Sequence, residues 1–213
     1  MNIALVMEWS TCERNPVVFD TLKKVADENG HTVVNYGQFS MDDSRQTYNQ
    51  NAVFIAALLA SKAADFVITG CGTGEGAMLA ANSMPGVQCG LVVDPADSYL
   101  FTQVNGGNCM SLPFAKGWGW GAEVNLEYVF EKLFVKAPGG GYPPHAAASE
   151  QRNAYLLTRL KEASHRSLPE LLKAGDPEVA DIIKAAFAGK RMELFRQNCR
   201  SEEILKAVEA AIS

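Results

Sequence analysis

The sequence predicts an α/β protein: a parallel β-sheet with helices on both faces, followed by a C-terminal helical extension. Three observations carry this. Short apolar runs of strand length alternate with longer segments of helical period. The runs, such as Phe66-Val67-Ile68, are apolar on successive residues, as expected of strands buried on both faces. The alternation stops at Ala137-Pro138-Gly139-Gly140-Gly141-Tyr142-Pro143-Pro144, after which only helical patterning remains. The expected organisation is an α/β domain over 1–136, a Gly/Pro linker over 137–148 and a helical extension over 149–213.

Asn2 to Met7 reads as the first strand. Pro16 to Asn29 follows as a helix, with Val17, Leu22, Val25 and Ala26 apolar and Gly30 ending it. Thr32 to Asn35 is a second strand, and Asn51 to Lys62 a second helix. The Phe66 run is a third strand whose helix extends to Asn82. Gln88 to Val93 is a fourth strand, Leu100 to Val104 a short helix, Cys109 to Leu112 a fifth strand, and Val124 to Phe134 another helix. In the extension, helices are expected near 150–163, 167–174, 177–188 and 201–212. Asp176-Pro177 and Ser201-Glu202-Glu203 supply start signals for the last two. The extension reads equally as a cap on the sheet or as an arm reaching a partner subunit.

A chain of 213 residues, 47% hydrophobic and 20% charged, can bury a sizeable core. Its net charge of −5 argues against a nucleic-acid footprint. No apolar run reaches membrane-spanning length and no basic leader precedes the first strand, so a cytoplasmic protein is expected. The five cysteines, Cys12, Cys71, Cys89, Cys109 and Cys199, are odd in number and scattered. His31, His145 and His165 lie far apart. Neither set suggests a disulfide framework or a metal site. Cys12, Cys89, Cys109 and Cys199 read as packing residues.

The chemistry concentrates in residues 65–82, where Cys71 stands in a glycine-rich turn between a strand and a helix start. Gly70, Gly72, Gly74 and Gly76 let the backbone turn and approach a ligand. The free amides of a helix start attract negative charge, which favours an anionic sulfur or a developing oxyanion. Cys71 is thus a candidate base or nucleophile, although a small buried cysteine also serves as plain packing. Glu75 stands where the third glycine of a dinucleotide fingerprint would be, and no Walker lysine follows Gly76. In an open parallel sheet, ligands bind beyond the carboxyl ends of the strands. Glu8, Tyr36, Cys71 and Asp94 are therefore expected at one edge.

The stretch Cys71-Gly72-Thr73-Gly74-Glu75-Gly76, then Ala80-Ala81-Asn82, then Met84-Pro85-Gly86-Val87 resembles the signature of the ribose-5-phosphate isomerase B and galactose-6-phosphate isomerase family. The resemblance continues through Leu91, Asp94 and Asn105-Gly106-Gly107-Asn108 and covers roughly residues 1 to 135. It implies a Rossmann-like sheet and aldose–ketose isomerisation through an enediol, without metal, nucleotide or other cofactor. It also implies a small-molecule sugar substrate and a site completed across a homodimer or dimer of dimers. On the matching positions, Cys71 falls on the family's base. Thr73 and the amides of Gly72 and Gly74 fall on the oxyanion site, Tyr48 and Asn105 on residues that contact the sugar, and Gly76 is a further substrate-binding candidate. One base beside an oxyanion site is what proton transfer next to a carbonyl requires.

The departures bear on the substrate. The family's Asp-His pair after the first strand becomes Glu8-Trp9, and the histidine associated with ring opening becomes Val93. An open-chain substrate is therefore expected, unless Glu8, Asp94 or Asp97 moves the ring proton. Asp97 reads equally as a helix N-cap before Tyr99 to Thr102. The arginines that grip phosphate fall on Ala115, with Lys116 beside it, and on the Gly-Gly-Gly-Tyr-Pro-Pro-His stretch. A lysine lacks the bidentate fork of arginine, which argues against a standard phosphosugar. The alternative is a carboxylate-bearing, uronate-type keto sugar held by Lys116 or by Lys190, Arg191 or Arg196, and phosphate and carboxylate both stay open. Those three tail cations read otherwise as a solvated helical face. Gly117-Trp118-Gly119-Trp120-Gly121 reads as a sugar-stacking loop or as anchoring aromatics. The function expected is an aldose–ketose isomerase acting on a sugar phosphate or related acidic sugar by enediol proton transfer with a cysteine base. The alternative is a non-catalytic sugar-binding or regulatory protein on the same fold.

Overall fold

The computed structural model describes residues 1–213. The strands are β1 (Asn2–Val6), β2 (Thr32–Asn35), β3 (Phe66–Cys71), β4 (Cys89–Leu91) and β5 (Cys109–Pro113). They form one five-stranded sheet in the order β2-β1-β3-β5-β4, parallel throughout. Helices α1 (Asn15–Glu28), α2 (Tyr48–Ala60), α3 (Glu75–Asn82), α4 (Pro95–Leu100) and α5 (Ala122–Phe134) connect and cover the strands. The extension carries α6 (Ala147–Ser164), α7 (Leu168–Leu171), α8 (Pro177–Ala186), α9 (Lys190–Asn198) and α10 (Glu202–Ile212).

Successive strand residues point to opposite faces of the sheet, which divides the core in two. Ile3, Leu5, Met7, Phe66 and Ile68 pack with Val18, Leu22, Phe130 and Leu133 of α1 and α5. Ala4, Val6 and Val67 pack with α2, and beyond it with Leu168, Ile183, Phe187, Phe195, Ile204 and Val208 of the extension. α2 lies between these layers, so Asn51 through Leu59 are all buried. A helix apolar all round needs cover on every side, and α7 to α10 supply the outer cover. Phe54 meets Phe187 and Phe195 at ring-centroid distances of 5.3 and 6.2 Å. α2 starts at a capping box, in which the Thr47 hydroxyl accepts from the Asn49 amide and the Thr47 amide donates to Gln50 Oε1.

The extension divides into two parts, of which one is the expected cap on the sheet. α7 to α10 cap the sheet, whereas α6 has no buried residue. Polar contacts hold α6: Lys161 Nζ donates to the carbonyls of Asn82 and Met84, and Gln88 Nε2 to Thr158 Oγ1 at 2.9 Å. Tyr155, Leu156, Leu157 and Leu160 of α6 remain exposed. The Gly/Pro segment before it is pinned, with Gly139 and Gly141 amides donating to the carbonyls of Thr102 and Gln103 at 2.7 and 2.9 Å.

Three expectations need correction. The short helix placed at Leu100 to Val104 starts earlier, as α4, and runs into a π-turn over Phe101–Asn105. Pro95 sits in the first turn of α4, which favours this earlier start. α9 was not expected, because its charged residues mask the period of its buried Met192 and Phe195. The fourth strand is only Cys89–Leu91. No helix is long and apolar enough to cross a membrane.

Candidate functional site

The chain leaves β1 to form β2 on one side and returns to form β3 on the other, and β5 later inserts between β3 and β4. Connections that depart in opposite directions open a crevice at the carboxyl ends of the central strands. Cys71 is the last residue of β3, the middle strand, and is 6% exposed. The Gly74 amide donates to Cys71 Sγ at 3.2 Å, so a backbone donor stands ready for negative charge on the sulfur.

Neighbouring strands fix this turn. The amide of Phe114 donates to Cys71 O at 2.8 Å, and the amides of Ala115 and Lys116 to Gly72 O at 3.0 and 2.8 Å. Buried Ser111 donates its hydroxyl to Gly74 O at 2.6 Å. Gly74 has φ +81°, and a Cβ there would stand 2.6 Å from Leu91 Cδ1 and 3.0 Å from the Leu112 carbonyl carbon. Only glycine fits that position without strain. Gly70 is equally constrained, since a Cβ would meet Leu112 O at 2.2 Å.

Around Cys71 the structure gathers most of the sequence-derived residues. Thr73 is exposed, and its hydroxyl accepts from the Glu75 amide at 3.3 Å, leaving its own O–H free to donate. Tyr48 opens α2 with its ring against Gly76, where ring carbons lie 3.2–3.5 Å from the position a Cβ would take. Val6 faces the α2 core and Met7 the opposite one, so Glu8 returns to the α2 face. By the same alternation Cys71 lies on that face, because Gly70 faces the Phe114 ring on the other. Glu8 is 8% exposed and accepts the Ser10 hydroxyl. Lys116 is exposed at the rim. With Val93, Trp118, Trp120 and Asn125 it lines a cleft of about 350 Å³ beyond β5.

Two residues stand apart. Asn105 precedes β5, at the amino edge of the sheet, whereas Cys71 pairs with Pro113 at its carboxyl end. The length of β5, roughly 13 Å, separates the two edges. Asp94 follows β4, but its Oδ1 accepts from the Asp97 amide at 2.9 Å as the N-cap of α4. Asp97 in turn accepts from the Val93 amide at 3.0 Å, so Asp94 and not Asp97 is the cap. Val93 is 46% exposed and carries no proton-transfer group.

The tail cations also divide. Arg196 pairs with Glu209 at 2.9 Å on the surface, and Lys190 lies exposed over Phe39, as a solvated face would have them. Arg191 does not, being 4% exposed. Burial pulls its pKa down to about 9, which leaves the guanidinium charged at neutral pH. Trp118 is half-buried against Phe114, whereas Trp120 is fully exposed.

Sequence reasoning missed two further arginines at this edge. Arg45 lies 5.0 Å from the ring centroid of Trp9, the residue after Glu8, and Arg14 lies 5.4 Å from that of Trp118. Trp9 is held by its Nε1–H on Met41 O and its amide on Gln46 O, at 3.0 and 2.8 Å. Neither arginine makes an ion pair, so their donors are available to an anion. Both are distant in sequence from the Cys71 turn, and each stands on a tryptophan that follows the carboxyl end of a strand, β5 or β1.

The family model described as Ribose/Galactose Isomerase matches residues 3–137. Among solved structures, the chain is similar to a 4-deoxy-L-threo-5-hexosulose-uronate ketol-isomerase complexed with a tartrate. That likeness has 50% identity and a TM-score of 0.94, covering 100% of this chain and 99% of the other. It is also similar to a ribose-5-phosphate isomerase from Vibrio parahaemolyticus at 42% identity and a TM-score of 0.93, covering 99% of each chain. A ribose 5-phosphate isomerase from Thermotoga maritima, at 22% identity and a TM-score of 0.58, shares the fold over 74% of this chain and 97% of its own. No curated protein matches the chain. With the family model spanning the whole sheet and the cysteine turn, and full-length likeness to two solved isomerases, the chain belongs to the Ribose/Galactose Isomerase family.

Proposed function

We propose that the chain is an aldose–ketose isomerase acting on an open-chain sugar acid, with Cys71 as the base. The observation that carries this reading is the 3.2 Å bond from the Gly74 amide to Cys71 Sγ at the end of the central strand. The thiolate takes the proton from the carbon next to the substrate carbonyl, and the electron pair moves onto the carbonyl oxygen to give an enediolate. The turn amides and the Thr73 hydroxyl stabilise that oxygen. The thiol then returns the proton to the former carbonyl carbon. Glu8, on the same face, passes the hydroxyl proton between the two oxygens. Asp94 and Asp97 are less suited, because each accepts a backbone amide at the start of α4.

An open-chain substrate suits a site with Val93 where the ring-opening histidine would stand and no imidazole after Glu8, where Trp9 stands. A carboxylate suits one with Ala115 and a glycine-rich stretch in place of phosphate-gripping arginines. The similar uronate ketol-isomerase supports the same choice. Asn105 then reaches the sugar from a second copy of the chain, since its own Cys71 lies at the opposite edge of the sheet. A groove of about 470 Å³ beside Asn105, walled by Leu156, Leu157 and Leu160 of α6, is the surface offered for that pairing.

The test is transfer of a carbon-bound proton to D₂O, followed by NMR, over a panel of open-chain uronates and phosphorylated sugars. Exchange with a keto-uronate, lost in a folded Cys71→Ala variant, is expected. Unchanged exchange in that variant sinks the cysteine base, and exchange confined to phosphosugars sinks the substrate class.

A further inference from the structure

The extension sends one guanidinium into the protein with no acid paired to it. Arg191, at the start of α9, donates from Nε to Tyr36 O at 3.2 Å and from Nη2 to Met7 O at 3.3 Å, the carbonyls just beyond β2 and β1. Its Cζ lies 5.1 Å from the Phe54 ring centroid, and Nη1 has no hydrogen-bond partner. Carbonyls and a ring orient the cation without neutralising it, and Asp43, the acid whose charge acts on it, makes no ion pair with it.

Arg191 and Lys190 line a cavity of about 60 Å³ together with Gln38, Phe39, Asp43 and Gln46. A water needs roughly 10–15 Å³ of such space, so the cavity has room for a small oxyanion. Asp43 is the one acid on its wall. Asp43, whose Oδ2 accepts from the amides of Phe39 and Ser40 at 2.9 and 3.1 Å, offsets one of the two cations, and the wall stays net positive by the other. The cavity stands at the carboxyl edge of β1 and β2, one and two strand spacings from β3, or about 5 and 10 Å.

We propose that this cavity is a binding site for a single oxyanion, carboxylate or phosphate, gripped by the free edge of the Arg191 guanidinium with Lys190 at its mouth. Two sources share that chemistry: the acidic group of the substrate, on the reading given above, and a separate small effector anion.

The probe is inorganic phosphate, titrated by calorimetry and by thermal melting at constant ionic strength with chloride. Saturable binding and a rising melting temperature are expected. Arg191→Lys, which keeps the charge but loses the fork, should weaken binding about tenfold or more, as loss of a charge-assisted hydrogen bond does. Lys190→Gln is exposed, so it folds even if the Arg191 variant does not, and it should weaken binding several-fold. Absence of binding to the wild-type chain, or wild-type binding in Lys190→Gln and in any Arg191→Lys protein that folds, overturns the proposal. Phosphate that raises KM for a keto-uronate at constant kcat assigns the site to the substrate's own acid group. Phosphate that binds without competing assigns it to a separate anion. Calorimetry needs no turnover, so this site stands or falls separately from the isomerase reading.

Discussion

Replacing Gly74 by alanine tests whether the cysteine turn is held by the geometry on which its chemistry depends. Gly74 has φ +81°, and its missing Cβ would sit 2.6 Å from Leu91 Cδ1, 3.0 Å from the Leu112 carbonyl carbon and 3.1 Å from Pro113 N. Left-handed backbone costs a non-glycine residue about 1–2 kcal/mol, and crowding a packed site about 1–3 kcal/mol more. The expected loss is thus roughly 2–5 kcal/mol. Near 3 kcal/mol, it lowers the melting temperature of a chain this long by about 6–12 °C. Gly72→Ala is the control, because its nearest neighbour would be Ala115 Cβ at 3.7 Å, an ordinary contact. That variant should stay within about 0.5 kcal/mol of wild type. Urea unfolding of both variants, alongside wild type, measures the difference. Gly74→Ala should also slow proton exchange about tenfold or more, since its amide would no longer be aligned on Cys71 Sγ. A Gly74→Ala protein as stable as Gly72→Ala and as active as wild type would refute the reasoning, because neither the strain nor the amide alignment would then matter.

Two further outcomes separate the parts of the extension. Phe195→Ala empties a fully buried position against Phe54 and Phe187 and should destabilise the chain by about 3–5 kcal/mol, read as a lowered urea midpoint. Leu157→Glu and Leu160→Glu lie on the exposed face of α6, 47% and 66% exposed. If copies of the chain pair through this groove, as proposed above, both changes leave the fold of the single chain intact and convert the dimer to monomer in sedimentation. A dimer that survives both changes would place the subunit contact elsewhere.

The sheet was legible in the sequence because its strands are buried on both faces and read as apolar runs, and because loops rich in glycine and proline separate them. The Cys71 turn was legible for a related reason. The oxyanion role proposed for it rests on backbone amides and on residues next to one another in the chain, so the geometry follows from local conformation. The fate of α2 was also present in outline: a helix with Ala52 through Leu59 apolar all round demands cover on both sides, although nothing in those residues names α8 or α10 as the cover. α9 stayed hidden because its buried Met192 and Phe195 are spaced among charges, one of which, Arg191, is itself buried.

By itself, then, the sequence determined the parallel sheet, the cysteine in its glycine-rich turn, and the absence of the family's ring-opening histidine and phosphate-gripping arginines. The tertiary structure decided which distant side chains stand near that turn. Strand order sets Glu8 and Cys71 on one face, Arg45 on Trp9 at the same edge, Asn105 at the opposite one, and Arg191 within the protein behind β1 and β2. These placements depend on which strands are neighbours and which helices cover them. Local spacing carries no information about either, because the contacts join residues tens to more than a hundred positions apart, and only the packed core fixes them.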